Sequence, residues 1–261
     1  MNTPQKIVLI GAGNLATSLA VALHSKGHDI AQVWSRAAEN AALLTERVGA
    51  MPCSDLAEIK HGADLYIYAV KDDALPQIVD AVKIDDGLHA HTSGSVPMTI
   101  FEGKRTNYGS IYPFQTFSKE RVVDFSEIPL LIDANSDDNA AKLANIGKTI
   151  SQNVLRMTDE DRQYLHLAGV FANNFSNSLF VMAEEILAER NLPFSLLLPL
   201  LTESIAKLKT LQPLQAQTGP AKRNDQKIIE KQRNLLKNNP ELLKVYNLLT
   251  DSILQQQNQK R

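Results

Sequence analysis

The stretch Lys6–Ala16, K-I-V-L-I-G-A-G-N-L-A, indicates how the N-terminal part of this chain folds. Its apolar first half predicts a strand, and the small apolar residues after it predict a helix. Between them, Gly11, Gly13 and Ala16 complete the pattern G-x-G-x-x-A. A strand that turns tightly into a helix leaves the first helical N–H groups pointing into a crevice, where they favour an anion. The sequence therefore predicts a dinucleotide pyrophosphate at this turn.

Each residue of the turn has an expected role. Gly11 makes the tight turn, Gly13 lets the backbone approach the pyrophosphate, and Ala16 lets the helix pack closely on the strand. Asn14 and Leu15 begin the helix and are expected to contact the cofactor. The alternative is a strand-to-helix turn with only a structural role.

The end of the second predicted strand, 29–34, indicates which dinucleotide binds. An NAD site usually has an acidic residue there, which binds the ribose 2′-hydroxyl. This chain has Ser35 and Arg36 instead. Arginine offers a planar fork of donors suited to a phosphate, and serine adds another donor. The sequence therefore favours NADP, with an exposed arginine of no special role as the alternative.

Composition is that of an ordinary globular enzyme. The 261 residues include 27 basic and 29 acidic side chains, so no global charge predicts binding to nucleic acid or to a membrane surface. No apolar run is long enough to span a membrane, and no signal peptide is recognised. The single cysteine, Cys53, cannot form an internal disulfide, and we expect a cytoplasmic protein.

The chain divides into two halves with different patterns. Up to about residue 155 strands alternate with helices, which predicts a Rossmann-type, doubly wound and mostly parallel α/β sheet. Among its helices we expect one near 55–61. From residue 156 to 261 the pattern is all-helical. A long helix is expected to start at Thr158 and run without interruption to about Arg190. Domains at 1–155 and 156–261 follow, the first binding dinucleotide and the second serving substrate binding and dimerisation.

The second half is apolar on more than one helix face, as in Leu196–Leu201. Burial against a second subunit would account for this, so we expect a homodimer through the helical domain. A self-contained helical bundle is the alternative.

Ligands of open α/β sheets lie at the carboxyl ends of the strands, which selects three further loops. Val70 and Lys71 follow the fourth strand and are expected to flank the cofactor. Ser93 and Ser95 lie in the S-G-S loop after the fifth strand; we predict a catalytic role for Ser93 and cofactor contact for Ser95. Gln115, in the loop Y-P-F-Q-T, is a candidate substrate ligand. The alternatives are that S-G-S is ordinary loop composition and that the aromatic-proline turn is only a rigid corner.

Polar residues also interrupt the long helix. In α-helical geometry His166, Asn173 and Asn177 share one face, with Gly169 between them. Asparagine and glycine disfavour helix interiors, and such local conflicts tend to mark sites. We predict His166 as a proton donor, Asn173 as a catalytic and Asn177 as a substrate-binding residue. Buried polar residues bonded across a helix interface are the alternative.

A last candidate is Arg223 in T-G-P-A-K-R-N-D, residues 218–225, which is suited to an anionic part of the substrate. Asp225 would either orient Arg223 or cap the following helix. A solvated basic loop residue is the alternative.

Several motifs together resemble a bacterial oxidoreductase family that has no assigned substrate. They are the glycine turn, Ser35-Arg36, H-T-S-G-S, Y-P-F-Q-T-F-S, H-L-A-G-V-F-A-N-N-F and T-G-P-A-K-R-N-D. The resemblance implies a Rossmann-like NADP-binding domain joined to a helical domain of unknown function, and a dimer. The family is distantly similar to pyrroline-5-carboxylate reductases, β-hydroxyacid dehydrogenases and deazaflavin-dependent NADP reductases.

The chain departs from some of these relatives. β-Hydroxyacid dehydrogenases carry a catalytic lysine one turn before an asparagine, whereas Gly169 and Val170 stand there in this chain. There is no Tyr-x-x-x-Lys pair and no Cys/His cluster with metal-ligand spacing, so no metal is expected. We therefore expect an NADP-dependent reductase of a small C=O or C=N substrate. A non-catalytic NADP(H) sensor and a reductase that uses a deazaflavin are the alternatives.

Overall fold

The structure, a computed structural model, describes residues 3–118, 121 and 123–258. The chain forms two compact units that divide between Val170 and Phe171. The boundary at 155/156 that the sequence suggests marks a change of pattern rather than of compactness, and as a division of function it stays a prediction.

The first unit is built around one eight-stranded sheet. Its strands are β1 (Lys6–Ile10), β2 (Asp29–Trp34), β3 (Met51–Cys53), β4 (Leu65–Tyr68), β5 (Leu88–His91), β6 (Tyr108–Pro113), β7 (Leu130–Ala134) and β8 (Val154–Arg156). Its helices are α1 (Asn14–Ser25), α2 (Ala38–Val48), α3 (Leu75–Ala81), α4 (Asp137–Ile150) and α5 (Asp159–Gly169). The predicted fold class is therefore confirmed.

The strand order is β3-β2-β1-β4-β5-β6-β7-β8, and every neighbouring pair is parallel except β6 and β7. The chain moves outward from β1 in one direction and later from β4 in the other. This reversal leaves a crevice beyond the carboxyl ends of β1 and β4. The carboxyl ends of β5 and β6 lie at the same edge, so the loops selected from the sequence do meet there.

In this unit one expected helix is wrong and one strand was not predicted. The helix expected near 55–61 is only a short 3₁₀ turn, Leu56–Glu58, which Asp55 caps by accepting from the Ala57 N–H. The exposed strand β8 was not expected, because three residues are too few to show a period.

The second unit is helical. It contains α6 (Ser176–Ala188), α7 (Leu198–Lys207), α8 (Pro213–Ala216), α9 (Gln226–Leu235) and α10 (Pro240–Asn258). Asn239 accepts from the Leu242 N–H and Pro240 takes the first position of α10, as the sequence predicts. Within the described ranges, no helix is long and apolar enough to cross a membrane.

The uninterrupted α-helix expected after Thr158 is wrong in one respect. Thr158 does cap α5, accepting from the Asp161 N–H, but a π-helical segment occupies Val170–Phe175. A π-helix pairs each N–H with the carbonyl five residues back, and such turns are frequent at functional sites. The seven-residue spacing of His166 and Asn173 therefore no longer implies a shared face.

A cluster of aromatic and histidine side chains is buried on one face of the first unit's sheet. Tyr66 and His89 are register partners on β4 and β5, and their rings stack 4.6 Å apart. His89 Nε2 donates to the Asp86 carbonyl, so Nδ1 is left to accept from the Tyr68 hydroxyl. Burial is the main cause that lowers the pKa of His89 to about 4 and that of His91 to about 3.

These histidines should make stability depend on pH. Their folded pKa values lie below the value of 6.5 in an unfolded chain. The unfolded state therefore binds more protons, and stability falls as the pH drops below 6.5. A single histidine like His89 should cost about 1.5 kcal/mol between pH 6.5 and 5. Urea unfolding at several pH values measures this slope. His89→Gln, which keeps one donor and one acceptor, should make it shallower; an unchanged slope would contradict the assignment.

Candidate functional site

The glycine turn joins β1 to α1 at the edge where the strand order reverses. Gly11 has φ +129°, and a Cβ there would overlap the Ala69 carbonyl at the end of β4. Gly13 differs, since a Cβ would meet nothing within 4 Å. Gly11 is thus required by the neighbouring strand, whereas the space beyond Gly13 is open to a ligand.

The N-terminus of α1 fits an anion. Gly13 is its N-cap residue, and no side chain among the described residues caps the helix, so its first N–H groups remain available. Asn14 is exposed, and its side-chain amide donates to the Phe117 carbonyl in the loop after β6. Leu15 is half-buried against the core. The predicted contacts of both with a cofactor therefore concern their backbone N–H groups.

The end of β2 carries the residues that predict NADP. The Ser35 N–H donates to the Cys53 carbonyl, which fixes the backbone beyond the strand. Arg36 is exposed and its side chain bonds to none of the described residues. Its guanidinium is therefore free to bind a 2′-phosphate.

The loops after β4 and β5 differ in how their side chains are used. Val70 packs partly on the core beside Gly11, while Lys71 is exposed. Ser93 is buried, and its hydroxyl oxygen accepts from the backbone N–H groups of Ser95 and Val96. Ser93 therefore shapes its loop, and Ser95 is the exposed serine.

His166 lies at this same edge. Its Nδ1 is 2.9 Å from the hydroxyl of Tyr112 at the end of β6, and the two rings meet edge to face. Burial raises the pKa of Tyr112, so its hydroxyl stays protonated and can donate to Nδ1 or accept from it. Nε2 of His166 bonds to none of the residues described, which leaves it free for a ligand.

Gly94 makes this arrangement possible. A Cβ at Gly94 would lie 2.6 Å from His166 Nδ1 and 2.9 Å from Tyr112 Cζ. The S-G-S loop therefore packs directly against the Tyr112–His166 pair. The groups that come close to Gly94 are therefore side chains of the protein itself.

Gly169 lies one turn after His166 in α5, and it too allows a close approach. A Cβ there would lie 2.9 and 3.0 Å from two carbons of the Phe114 ring. The aromatic ring of Phe114 therefore packs directly against the α5 backbone at Gly169. The next residue, Gln115, is exposed, and its side-chain oxygen accepts from the Thr116 N–H.

Three predicted site residues belong to the second unit. Asn173 lies in the π-helical segment and Asn177 in α6, and both are exposed. Arg223 is exposed in the segment before α9. Asp225 caps α9 by accepting from the Ile228 N–H, which settles the alternative left open for it. The roles of the other three stay predictions.

Two features were missed from sequence. Tyr112 was only part of an aromatic-proline loop, and Arg162 was not singled out, although it is fully buried. The only signal for Arg162 in the sequence was its place between the Thr158 cap and His166. Charged residues in the first turn of a helix are ordinarily solvated, so this position did not predict burial. The described residues contain no group of three or more His, Cys, Asp or Glu side chains placed to hold a metal ion.

Comparison with known proteins identifies related families and structures. Residues 6–92 match the family described as "NADP oxidoreductase coenzyme F420-dependent", and residues 128–253 match a "domain of unknown function", DUF2520. The chain is 45% identical to a "putative NADP oxidoreductase" from Bacteroides fragilis. That crystal structure aligns over 97% of this chain and 98% of its own, with a TM-score of 0.92. NADP, the predicted cofactor, is thus confirmed.

More distant structures share the fold. A reductive aminase from Aspergillus terreus in complex with NADPH and ethyl levulinate is 16% identical, with a TM-score of 0.74 over 97% of this chain and 95% of its own. A pyrroline carboxylate reductase from Plasmodium falciparum with NADP bound is 12% identical, with a TM-score of 0.63 over 96% and 98%. Among curated proteins the comparison finds no match.

The two glycines of the turn should respond differently to substitution. Gly13→Val places a side chain in open space beside the α1 N-terminus, so it should weaken NADPH binding at least tenfold with little change in thermal stability. Gly11→Ala overlaps the Ala69 carbonyl at positive φ and should lower stability by about 1–3 kcal/mol. Calorimetric titration with NADPH and thermal unfolding separate the effects. Unchanged affinity in Gly13→Val would count against this site.

Proposed function

This chain belongs to the family of NADP oxidoreductases that includes the Bacteroides fragilis protein, and we propose that it reduces a small C=N or C=O substrate with NADPH. The observation that carries the proposal is the position of His166. Its imidazole is held at the carboxyl edge of the sheet by Tyr112, and Nε2 bonds to no residue in the part of the chain that the structure describes.

The residues that would hold NADPH are those of the first unit's crevice. The N–H groups at the start of α1 would bind the pyrophosphate, and Ser35 and Arg36 the 2′-phosphate. The cofactor would also be bordered by Val70 and Lys71, after β4, and by Ser95 of the S-G-S loop, after β5. NADPH, when bound, supplies a hydride to the unsaturated carbon of the substrate.

His166 would supply the proton that the reduced nitrogen or oxygen needs. The charged ring donates from Nδ1 to the Tyr112 oxygen and from Nε2 to the substrate. After the transfer the Nδ1 bond to Tyr112 persists, so the ring keeps its orientation while it loses the proton. Tyr112 therefore acts by fixing which nitrogen exchanges protons.

The substrate class is supported by the fold neighbours and by the choice of side chains. The reductive aminase and the pyrroline carboxylate reductase act, by their names, on C=N chemistry. In the first unit we assign a substrate contact to Gln115, and we retain a catalytic role for Ser93, whose loop packs against His166. For the second unit by itself, the roles of Asn173, Asn177 and Arg223 toward a substrate are separate proposals.

Dimerisation is part of the proposal. Large apolar side chains are exposed throughout the second unit, with Leu196 60% and Leu200 62% exposed. Patches of this kind on a single chain mark protein interfaces, and two-fold homodimers are the commonest assembly. We propose that a second copy of the chain covers them. A cytoplasmic location, which the lone free Cys53 suits, completes the proposal.

Removing the proton donor should slow turnover strongly while NADPH binding is kept. We expect His166→Gln to lower kcat by about 100-fold or more, because general acid catalysis contributes about that much. Tyr112→Phe should lower kcat by about fivefold to tenfold, the value of one hydrogen bond. NADPH oxidation with a panel of imines, amine–ketone mixtures and carbonyl compounds measures kcat, and fluorescence titration measures NADPH affinity.

The same panel discriminates the alternatives. An NADP(H) sensor would turn over no substrate and would be indifferent to His166→Gln. A reductase that uses a deazaflavin would transfer hydride only when that coenzyme is added. Full activity of His166→Gln on any substrate would remove the role assigned to this residue.

A charge on the apolar surface should separate the subunits. Leu200→Glu places a carboxylate at the proposed interface and should convert a dimer to a monomer. Leu43→Glu, on a leucine 60% exposed in α2 of the first unit, is the matched control and should remain dimeric. Sedimentation equilibrium gives the mass of each. A monomeric parent protein, or a dimeric Leu200→Glu, would overturn this interface.

A further inference from the structure

Arg162 is a buried charge whose partners belong to three separate segments of the first unit. The residue has no accessible surface. Its guanidinium lies 2.7 Å from the Asp159 carboxylate, and it donates to the Ser110 hydroxyl on β6 and to the Val96 carbonyl, both at 2.6 Å. Burying an arginine is expensive unless it is paired and hydrogen-bonded, so this site needs a compensating reason.

The partners of Arg162 fix α5 relative to β6. Ser110 and Tyr112 are two residues apart on one face of the strand, about 6.6 Å. Arg162 and His166 are four residues apart on one face of the helix, about 6 Å. The Arg162–Ser110 bond therefore sets the register in which His166 meets Tyr112.

The other two contacts fix the S-G-S loop. Arg162 holds the Val96 carbonyl, and Asp159 accepts from the Met98 N–H at 2.8 Å. These backbone groups lie two and four residues beyond Gly94, which packs against His166 and Tyr112. The ion pair thus ties together the helix, strand and loop that surround the proposed proton donor.

We infer that Arg162, with Asp159, is a positioning residue for the reaction, which sets the orientation of the His166 ring through the register of α5 and the S-G-S loop. Among the described residues, the hydrogen bonds and ion pair of Arg162 go to Asp159, Ser110 and Val96 and not to His166, so its role is one of positioning. The inference rests on the proposed function of His166 for its catalytic consequence, while its structural part concerns the His166–Tyr112 bond alone.

The test compares two buried arginines of the first unit. Arg162→Met removes the charge at similar size, and Arg162→Lys keeps it. Arg105→Met is the matched control, since Arg105 is also buried and donates to backbone carbonyls of Lys104, Val79 and Val82, away from His166. The ¹⁵Nδ1 shift of His166 reports its bond to Tyr112, with His166→Gln for assignment and Tyr112→Phe as the reference for a broken bond. Thermal unfolding, NADPH affinity and kcat are measured on the same proteins.

We expect Arg162→Met to move the Nδ1 shift toward the Tyr112→Phe value and to lower kcat at least tenfold, with NADPH affinity within twofold of the parent. Arg162→Lys should partly restore the Nδ1 shift and kcat of the parent. Arg105→Met should lower thermal stability but leave the Nδ1 shift and kcat unchanged. If Arg162→Met does not fold, the Arg162→Lys comparison decides. An unchanged Nδ1 shift in the folded variant would overturn the inference. Should the parent protein turn over no substrate, the proposed function fails while the shift still tests the positioning.

Discussion

The close approach of two parallel strands is the constraint on which the first unit depends. β1 and β4 run side by side where the strand order reverses, and their carboxyl ends are so close that only glycine fits at position 11. The chain must leave β1 at positive φ, which turns it directly into α1. The helix N-terminus and the ends of β4, β5 and β6 then share one edge of the sheet. Steric exclusion at one residue thus brings the helix N-terminus to the edge where these strands end.

A second constraint of the same kind acts at Gly94. There the rings of His166 and Tyr112 occupy the place that a side chain on the loop after β5 would fill. The first constraint makes room for a cofactor and the second brings a titratable ring to the same edge. Both use the missing Cβ for close approach, but only Gly11 also needs a left-handed backbone.

Sequence reasoning succeeded where the determinants are local. The glycine turn and the caps at Thr158 and Asn239 each depend on residues within a few positions of one another. It failed where the hydrophobic period carries no information and where distant residues decide. The π-helical segment changes only how backbone groups pair, and the 3₁₀ turn at Leu56–Glu58 is too short to show a period. The partner of His166 is 54 residues away, and no periodicity connects them.

That separation has a consequence for how the protein acquires its chemistry. Parallel pairing needs long crossovers, so β1 meets β4 some 58 residues along the chain, as Ile7 pairs with Leu65. Loop-closure entropy must be overcome before such contacts stabilise anything, which makes sheets of this kind slow to fold compared with helical units. A short fragment of the chain cannot contain the Tyr112–His166 hydrogen bond, because the two residues are 54 positions apart. The bond therefore exists only once β6 and α5 have docked, and it can serve as a reporter of that docking during folding.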